Sequence, residues 1–387
     1  MISLLLALIY VSFISLGLPD ALLGAAWPIM CLEFDVPVSL AGVIAVTISL
    51  GTVISSLLSD RLTLWLGSGK VTAISVGLTA LALIGFSRST QFWHLLLWAV
   101  PYGLGAGSVD ASLNNYVALH YASRHMSWLH CMWGLGAGIG PFVMSRALTS
   151  GLSWSAGYSY IGIFQALLTA VLLLSLPLWK TRNQITSDTN GPQKAALGLR
   201  EILAIPGAKE VLIAFFCYCA AEQTAILWGS TYLVRQCGMG EEIAAGFGSL
   251  FLIGITVGRF LNGFLTYQLS DRTLIRLGQG IMLLGITLML LPLGAVGALT
   301  GLLLIGLGCA PIYPCVIHST PEHFGEENSQ AIIGVQMASA YLGVCLMPPL
   351  FGIIANHISV SLLSVYLGAI TAVMIFMCER LNRLKKT

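Results

Sequence analysis

Charge is what this chain has least of. Of its 387 residues only 9% are Asp, Glu, Lys or Arg, against 57% hydrophobic. A soluble domain of that composition could not cover its surface with polar groups. Polar sequence is scarce as well: the one long hydrophilic stretch is 180–200, KTRNQITSDTNGPQKAALGLR. That leaves no room for a folded extramembrane domain and argues against a receptor that signals through one. Its Thr, Asn, Asp, Gly and Pro mark a linker. The nine cysteines are scattered without a metal-type cluster. Cys217 and Cys219, two apart, point to different sides of a helix and serve as small apolar packing residues. There is no His/Asp/Glu metal spacing, Gly-rich phosphate loop or Ser–His constellation, so neither an enzyme nor a metal or cofactor is expected. The apolar start also lacks a basic n-region, against a cleaved signal peptide.

What is present is a series of apolar runs, each long enough for a spanning helix of roughly 20 residues. The first is Met1 to Met30. Others follow near 38–59, 71–86, 92–119, after Arg124, and 158–178; beyond the linker they lie near 206–234, 243–267, 273–291, 294–317, 330–355 and 360–378. The expectation is an all-α integral membrane protein of twelve transmembrane helices. It divides into an amino-terminal six-helix bundle (1–179), a cytoplasmic linker (180–205), a second six-helix bundle (206–379) and a basic tail (380–387). With twelve spans and both ends inside, fourteen Lys and Arg fall in cytoplasmic segments and three, Arg88, Arg146 and Arg235, in outer loops; Arg259 lies within a span. The positive-inside rule favours that orientation.

The two halves repeat. A shift of 203 residues lays Gly51 on Gly254, Gly103-Leu104-Gly105 on Gly306-Leu307-Gly308, and Gly140 on Gly343. Parallel repeats of six spans, with a site between them near the midplane, describe a secondary transporter with pseudo-two-fold symmetry.

Carboxylates inside spans are costly and therefore functional by default. Asp110 sits in PYGLGAGSVDASLNNY (101–116), where helical spacing aligns Gly103, Gly107, Asp110 and Asn114 on one face. Asp20 follows Pro19, which can kink the first span by removing a backbone donor; the plainer reading of Asp20 is a hydrogen-bonding group at that kink. In HCMWGLGAGIGP (130–141), Gly134, Ala137 and Gly138 form a small-residue seam, while His130, Trp133, Ala137 and Gly140 share a face that could line a cavity. Glu222 falls within one residue of Asp20 under the repeat, Asp110 maps onto Tyr313, and Trp133 onto Gln336. For His130, Tyr313 and Trp228 packing is the standing alternative.

These residues carry a resemblance. The six-plus-six repeat and the Asp60-Arg61 pair after the second span resemble the major facilitator superfamily. Within it, LPDALL, GLGAGSVDASLNNYV, HCMWGLGAGIGP and GLGCAPIYP are similar to the branch of fucose–galactose–glucose:proton symporters. That branch has an aspartate in the first span and a glutamate in the fourth for substrate binding and proton coupling; the matching positions here are Asp20 and Asp110. Three departures stand out. The fourth-span acid is shorter by one methylene, Trp133 replaces an asparagine, and Ser56 replaces the first glycine of the motif that ends in Gly67 and Lys70.

The expected function is proton-coupled symport of a small polar solute such as a sugar by alternating access; the alternative is proton-coupled export of amphiphilic compounds. Asp110, Asp20 and Glu222 are the candidates for proton coupling. Asp20, Asn114, His130, Trp133, Glu222, Gln223, Trp228, Tyr313 and Gln336 are those for solute binding, and Asp60 with Arg61 for a cytoplasmic gate. The expected partners are the solute, protons and the bilayer of the cell's inner membrane, with no nucleic acid, and the protein is expected to be a monomer.

Overall fold

The computed structural model describes residues 4–179 and 196–384, and every regular element among them is helical. The first half holds α1 (Leu4–Gly17), α2 (Leu22–Glu33), α3 (Ala41–Leu66), α4 (Ser68–Ser87), α5 (Phe92–His120), α6 (Ser123–Thr149) and α7 (Trp154–Leu174). The second holds the short α8 (Leu199–Ala204), then α9 (Ala208–Cys237), α10 (Glu241–Leu265), α11 (Asp271–Leu290), α12 (Gly294–His318), the short α13 (Thr320–Phe324), α14 (Glu326–His357) and α15 (Leu363–Leu384). With α1 and α2 counted as one broken span, twelve long helical stretches result. Among the described residues nine stretches are long and apolar enough to cross a membrane by composition alone. α5 and α6 are as long but carry polar residues such as Asp110, Asn114, Arg124 and His130. Most of the expected linker, 180–195, lies outside the described residues, as do 385–387 of the expected tail. α8 falls inside the expected linker, and α15 runs through 380–384.

The breaks follow the sequence. Pro19 has no N–H to donate, and the helix stops at Gly17 and restarts at Leu22, with Leu22 N–H bonding the Pro19 carbonyl (3.1 Å). α9 ends at Gly238, whose φ of 65° suits a residue without Cβ. There Gly238 and Met239 N–H close on the carbonyls of Val234 and Leu233. α3 does not stop at Ser59: it continues through Asp60 and Arg61 to Leu66, so that pair is helical rather than in a loop.

Two compact units emerge. One contains residues up to Tyr116 and Met132–Gly198; the other contains Val117–Cys131 and everything from Leu199 on. The expected boundary followed chain order. The contacts instead gather the tip of the α5–α6 hairpin, 117–131, into the second unit.

Within the first unit, glycines let backbones touch. A Cβ added at Gly103 would sit 2.2 Å from the Ile48 carbonyl oxygen on α3, and one at Gly105 2.6 Å from that of Ser75 on α4. Within the second unit, a Cβ at Gly306 would sit 3.0 Å from the Phe251 carbonyl oxygen on α10, and one at Gly308 2.6 Å from that of Gly278 on α11. Phe251 and Gly278 are Ile48 and Ser75 displaced by 203 residues. The repeat in the sequence is therefore a repeat of backbone contacts. Such close packing is what holds helices together in lipid, where apolar association gains nothing over lipid contact.

In the second unit, bonds from α10, α11 and α12 hold the hairpin tip. Asn262 donates to Ser127 Oγ (2.8 Å), Trp128 Nε1 to the Phe260 carbonyl (3.3 Å), and the Arg124 guanidinium lies 5.0 Å from the Tyr267 ring centroid. Asp271 accepts from the Ser123 hydroxyl and pairs with His318 Nδ1 (2.6 Å), while His318 Nε2 meets the Tyr121 carbonyl (3.2 Å).

Candidate functional site

In the first unit the site grows from the break between α1 and α2. α1 lies backbone to backbone on α6: added Cβ atoms at Gly17, Gly136 and Gly140 would sit 2.2, 2.1 and 1.9 Å from the carbonyl oxygens of Trp133, Ile14 and Leu18. The backbone of α6 at Trp133, Ala137 and Gly140 thus packs on α1, while the Trp133 side chain stays partly exposed. Gly138, assigned to the seam from sequence, meets nothing within 4 Å, because the seam runs two residues earlier and later through Gly136 and Gly140. This contact delivers Trp133 to Asp20: the indole Nε1 donates to Asp20 Oδ2 at 2.8 Å, and the Tyr102 hydroxyl approaches Oδ1 at 3.5 Å. Asp20 is exposed, and the residues donating to it are neutral.

Asp110 is different. It is buried in α5, and its Oδ1 accepts from Asn114 Nδ2 one turn on at 2.8 Å. Gly107, three residues before it, lies against the Thr52 carbonyl of α3. The face predicted from spacing, Gly103–Gly107–Asp110–Asn114, is therefore a buried helix contact with a hydrogen-bonded carboxylate at its end.

In the second unit Glu222 is half-buried on α9. Its Oε2 accepts from the Tyr218 hydroxyl one turn before and lies 3.4 Å from Arg259 Nη2 of α10. Arg259 is buried, and its guanidinium lies 5.7 Å from the ring centroid of Tyr313 on α12. Tyr313 also meets the His130 ring at 4.4 Å between centroids and the Phe215 ring at 4.8 Å, both tilted. Glu222, Tyr313 and His130 are thus brought together around an arginine that the sequence reading left out. The signal for Arg259 was available: an arginine within an apolar run demands a counter-charge.

The remaining candidates have other surroundings. Trp228 donates to the Pro348 carbonyl (3.0 Å) and packs edge-on against Phe351, joining α9 to α14. Gln336 is fully buried, its Oε1 accepting from Thr320 at 3.1 Å. Gln223 is half-buried. Asp60 accepts from the Leu197 backbone N–H, and Arg61 is exposed. Asp271 and His318, which hold the hairpin tip, were missed from sequence. Ser270-Asp271-Arg272 does repeat Ser59-Asp60-Arg61, but at a shift of 211 rather than 203.

Two similar halves of spanning helices with carboxylates set into their interiors define a polytopic secondary transporter. The profile of the Major Facilitator Superfamily matches residues 9–348, and the chain belongs to that superfamily. It is a multi-pass membrane transporter, not an enzyme. The chain is 23% identical over 284 residues to bypass of stop codon protein 6 of Saccharomyces cerevisiae, a match covering 67% of this chain and 56% of the length of that relative. It is 22% identical over 320 residues to the glucose/mannose transporter GlcP of Bacillus subtilis, covering 81% of this chain and 78% of that protein. Among solved structures it resembles FucP, the fucose:proton symporter of E. coli, in the outward conformation. The TM-score is 0.74 at 16% identity, covering 97% of this chain and 98% of that one. The likeness to FucP is one of fold.

Proposed function

We propose that the protein is a proton-coupled symporter of a small, hydroxyl-rich solute such as a sugar, working by alternating access with both termini cytoplasmic. The observation that carries this reading is the Asp20–Trp133 pair. A carboxylate accepts hydrogens from solute hydroxyls, and an indole offers an apolar face to the C–H side of a ring. The carboxylate sits where the first span is broken, so no helical backbone bonds bar its approach. Glucose/mannose transport by GlcP and fucose:proton symport by FucP agree with this class of solute.

Asp110 is the proton carrier in this reading. It is buried beside a neutral amide donor, so either protonation state keeps the bond from Asn114. Asp20 binds solute and shares the proton. Substrate binding favours one arrangement of the halves over the other, and the differential affinity sets how far the equilibrium moves. Asp60 and Arg61 contribute to a cytoplasmic gate.

The test is uptake into proteoliposomes with an imposed pH gradient, screened over neutral sugars, polyols, amino acids and cationic amphiphiles. Uphill accumulation of a sugar that collapses with a protonophore is expected. Accumulation of amphiphiles in exchange for protons, with no sugar response, would replace symport by export.

A further inference from the structure

Arg259 is a buried charge that the proposed mechanism does not use. We infer that Arg259 is a positioning residue: it holds Glu222 as a fixed anionic acceptor for hydrogens of the solute, so that Glu222 binds solute and does not carry the coupled proton. This rests on the reading of the protein as a solute symporter and adds a role to the second unit.

Three observations support it. Both contacts of the Glu222 carboxylate converge on one oxygen, Oε2, from the Tyr218 hydroxyl and from Arg259 Nη2 at 3.4 Å. Oε1 receives no hydrogen bond among the described residues and is left to accept from something else. Next, accessibility rises from the arginine to the acid: the side chains are 3% and 15% exposed. The carboxylate is therefore the more accessible member of the pair. Finally, the protein contains a pair of the ordinary structural kind. Arg276 and Glu379 meet through two bonds of 2.6 Å and occupy both carboxylate oxygens. The Glu222 pair instead makes one long contact, at 3.4 Å, on a single oxygen.

A proton placed on Glu222 would remove the negative charge that faces the buried Arg259 guanidinium at 3.4 Å, which is the costly way to break a buried pair. The coupled proton is thereby directed to the acids of the first unit. The other groups around the pair fit a fixed charge: Tyr218 donates to the acid, and the Tyr313 ring lies near the guanidinium and meets His130 in a tilted contact. The same logic names the solute class. A fixed carboxylate with an open oxygen takes hydroxyl or ammonium donors and repels anions.

The test uses the full-length protein, purified, with thermal stabilisation by D-glucose, L-fucose, the amphiphilic amine propranolol and the anion D-galacturonate as the binding readout. Five proteins are compared: wild type, Arg259→Lys, Arg259→Gln, Glu222→Gln, and the double variant Glu222→Gln/Arg259→Gln. Arg259→Gln strands the acid and can fail to fold, whereas the double variant buries no charge and should fold as well as wild type. A neutral sugar should stabilise wild type and Arg259→Lys and galacturonate should not, while the double variant should bind about tenfold or more weakly, the loss of one charged hydrogen bond. At saturating solute in proteoliposomes, Glu222→Gln should take up as many protons per solute as wild type. A double variant with wild-type affinity, a lower proton count in Glu222→Gln, or stabilisation by galacturonate would each overturn the inference. If propranolol but no sugar stabilises wild type, and the double variant loses that effect, the sugar reading falls and the role of Arg259 stands. Stabilisation by neither class overturns both.

Discussion

On the proposed reading, replacing Asp110 with asparagine separates coupling from folding. The Asp110 carboxylate is buried and accepts from Asn114 Nδ2 at 2.8 Å. An asparagine carbonyl at the same place still accepts that bond. For that bond the change loses the reinforcement a charge gives, about 1 kcal/mol. Alanine is worse: it removes the acceptor at 2.8 Å from the fully buried Asn114 amide, at about 1–3 kcal/mol. Coupling responds on another scale. A gradient of about two pH units stores about 2.7 kcal/mol per proton and supports about 100-fold accumulation of a neutral solute. An asparagine mimics the permanently protonated acid and cannot release the proton. Asp110→Asn should therefore keep a melting temperature near wild type and exchange labelled solute across the membrane, yet accumulate none above the external concentration. The assay is paired: counterflow for exchange, and gradient-driven uptake for coupling, in the same proteoliposomes. Gradient-driven accumulation that survives in Asp110→Asn would remove this residue from proton transfer. A variant that fails in counterflow as well, while correctly folded, would make Asp110 a binding residue instead.

Trp133→Phe keeps the ring but removes the donor to Asp20 and should weaken solute binding by about 1–2 kcal/mol with folding intact; unchanged affinity would dissociate the indole from the site. Gln336→Leu should leave solute affinity alone, because the amide is buried against Thr320. It should hold or raise the thermal midpoint, because Gln336 Nε2 has no partner among the described residues; a large loss of affinity would return Gln336 to the solute site. The paired substitutions Gly105→Val and Gly308→Val should each destabilise by about 1–3 kcal/mol in detergent unfolding, since both push a side chain into a neighbouring carbonyl. Tolerance of one alone would break the contact repeat. Asp271→Ala removes the acceptor of Ser123 and His318 and should speed maleimide labelling of the buried Cys131 in a background where it is the sole cysteine. An unchanged rate would show that the tip is held by its other contacts.

The architecture was legible because it depends on local quantities. Apolar run length sets spans, the distribution of Lys and Arg gives an expected orientation, and a fixed shift of 203 residues exposed the duplication before any contact was seen. The break at Pro19 was legible for the same reason, since a missing N–H acts within one turn. Burial cost alone marked Asp20, Asp110 and Glu222. Partners were not legible, because a side chain's partner is set by which helix faces it and at what height. Spacing placed His130, Trp133 and Gly140 on one face of α6, but only packing revealed that the backbone at Trp133 and Gly140 lies against α1 and that the Trp133 side chain reaches Asp20. Arg259 was set aside as a charge inside a span until α9 and α10 brought it to Glu222. Trp228, an aromatic candidate by sequence, donates to the Pro348 carbonyl and packs on Phe351. Composition and periodicity determine that this chain folds as helices in a membrane and where its costly charges lie. The pairing of those charges is a property of distance between segments far apart in sequence, and only the tertiary structure fixes it.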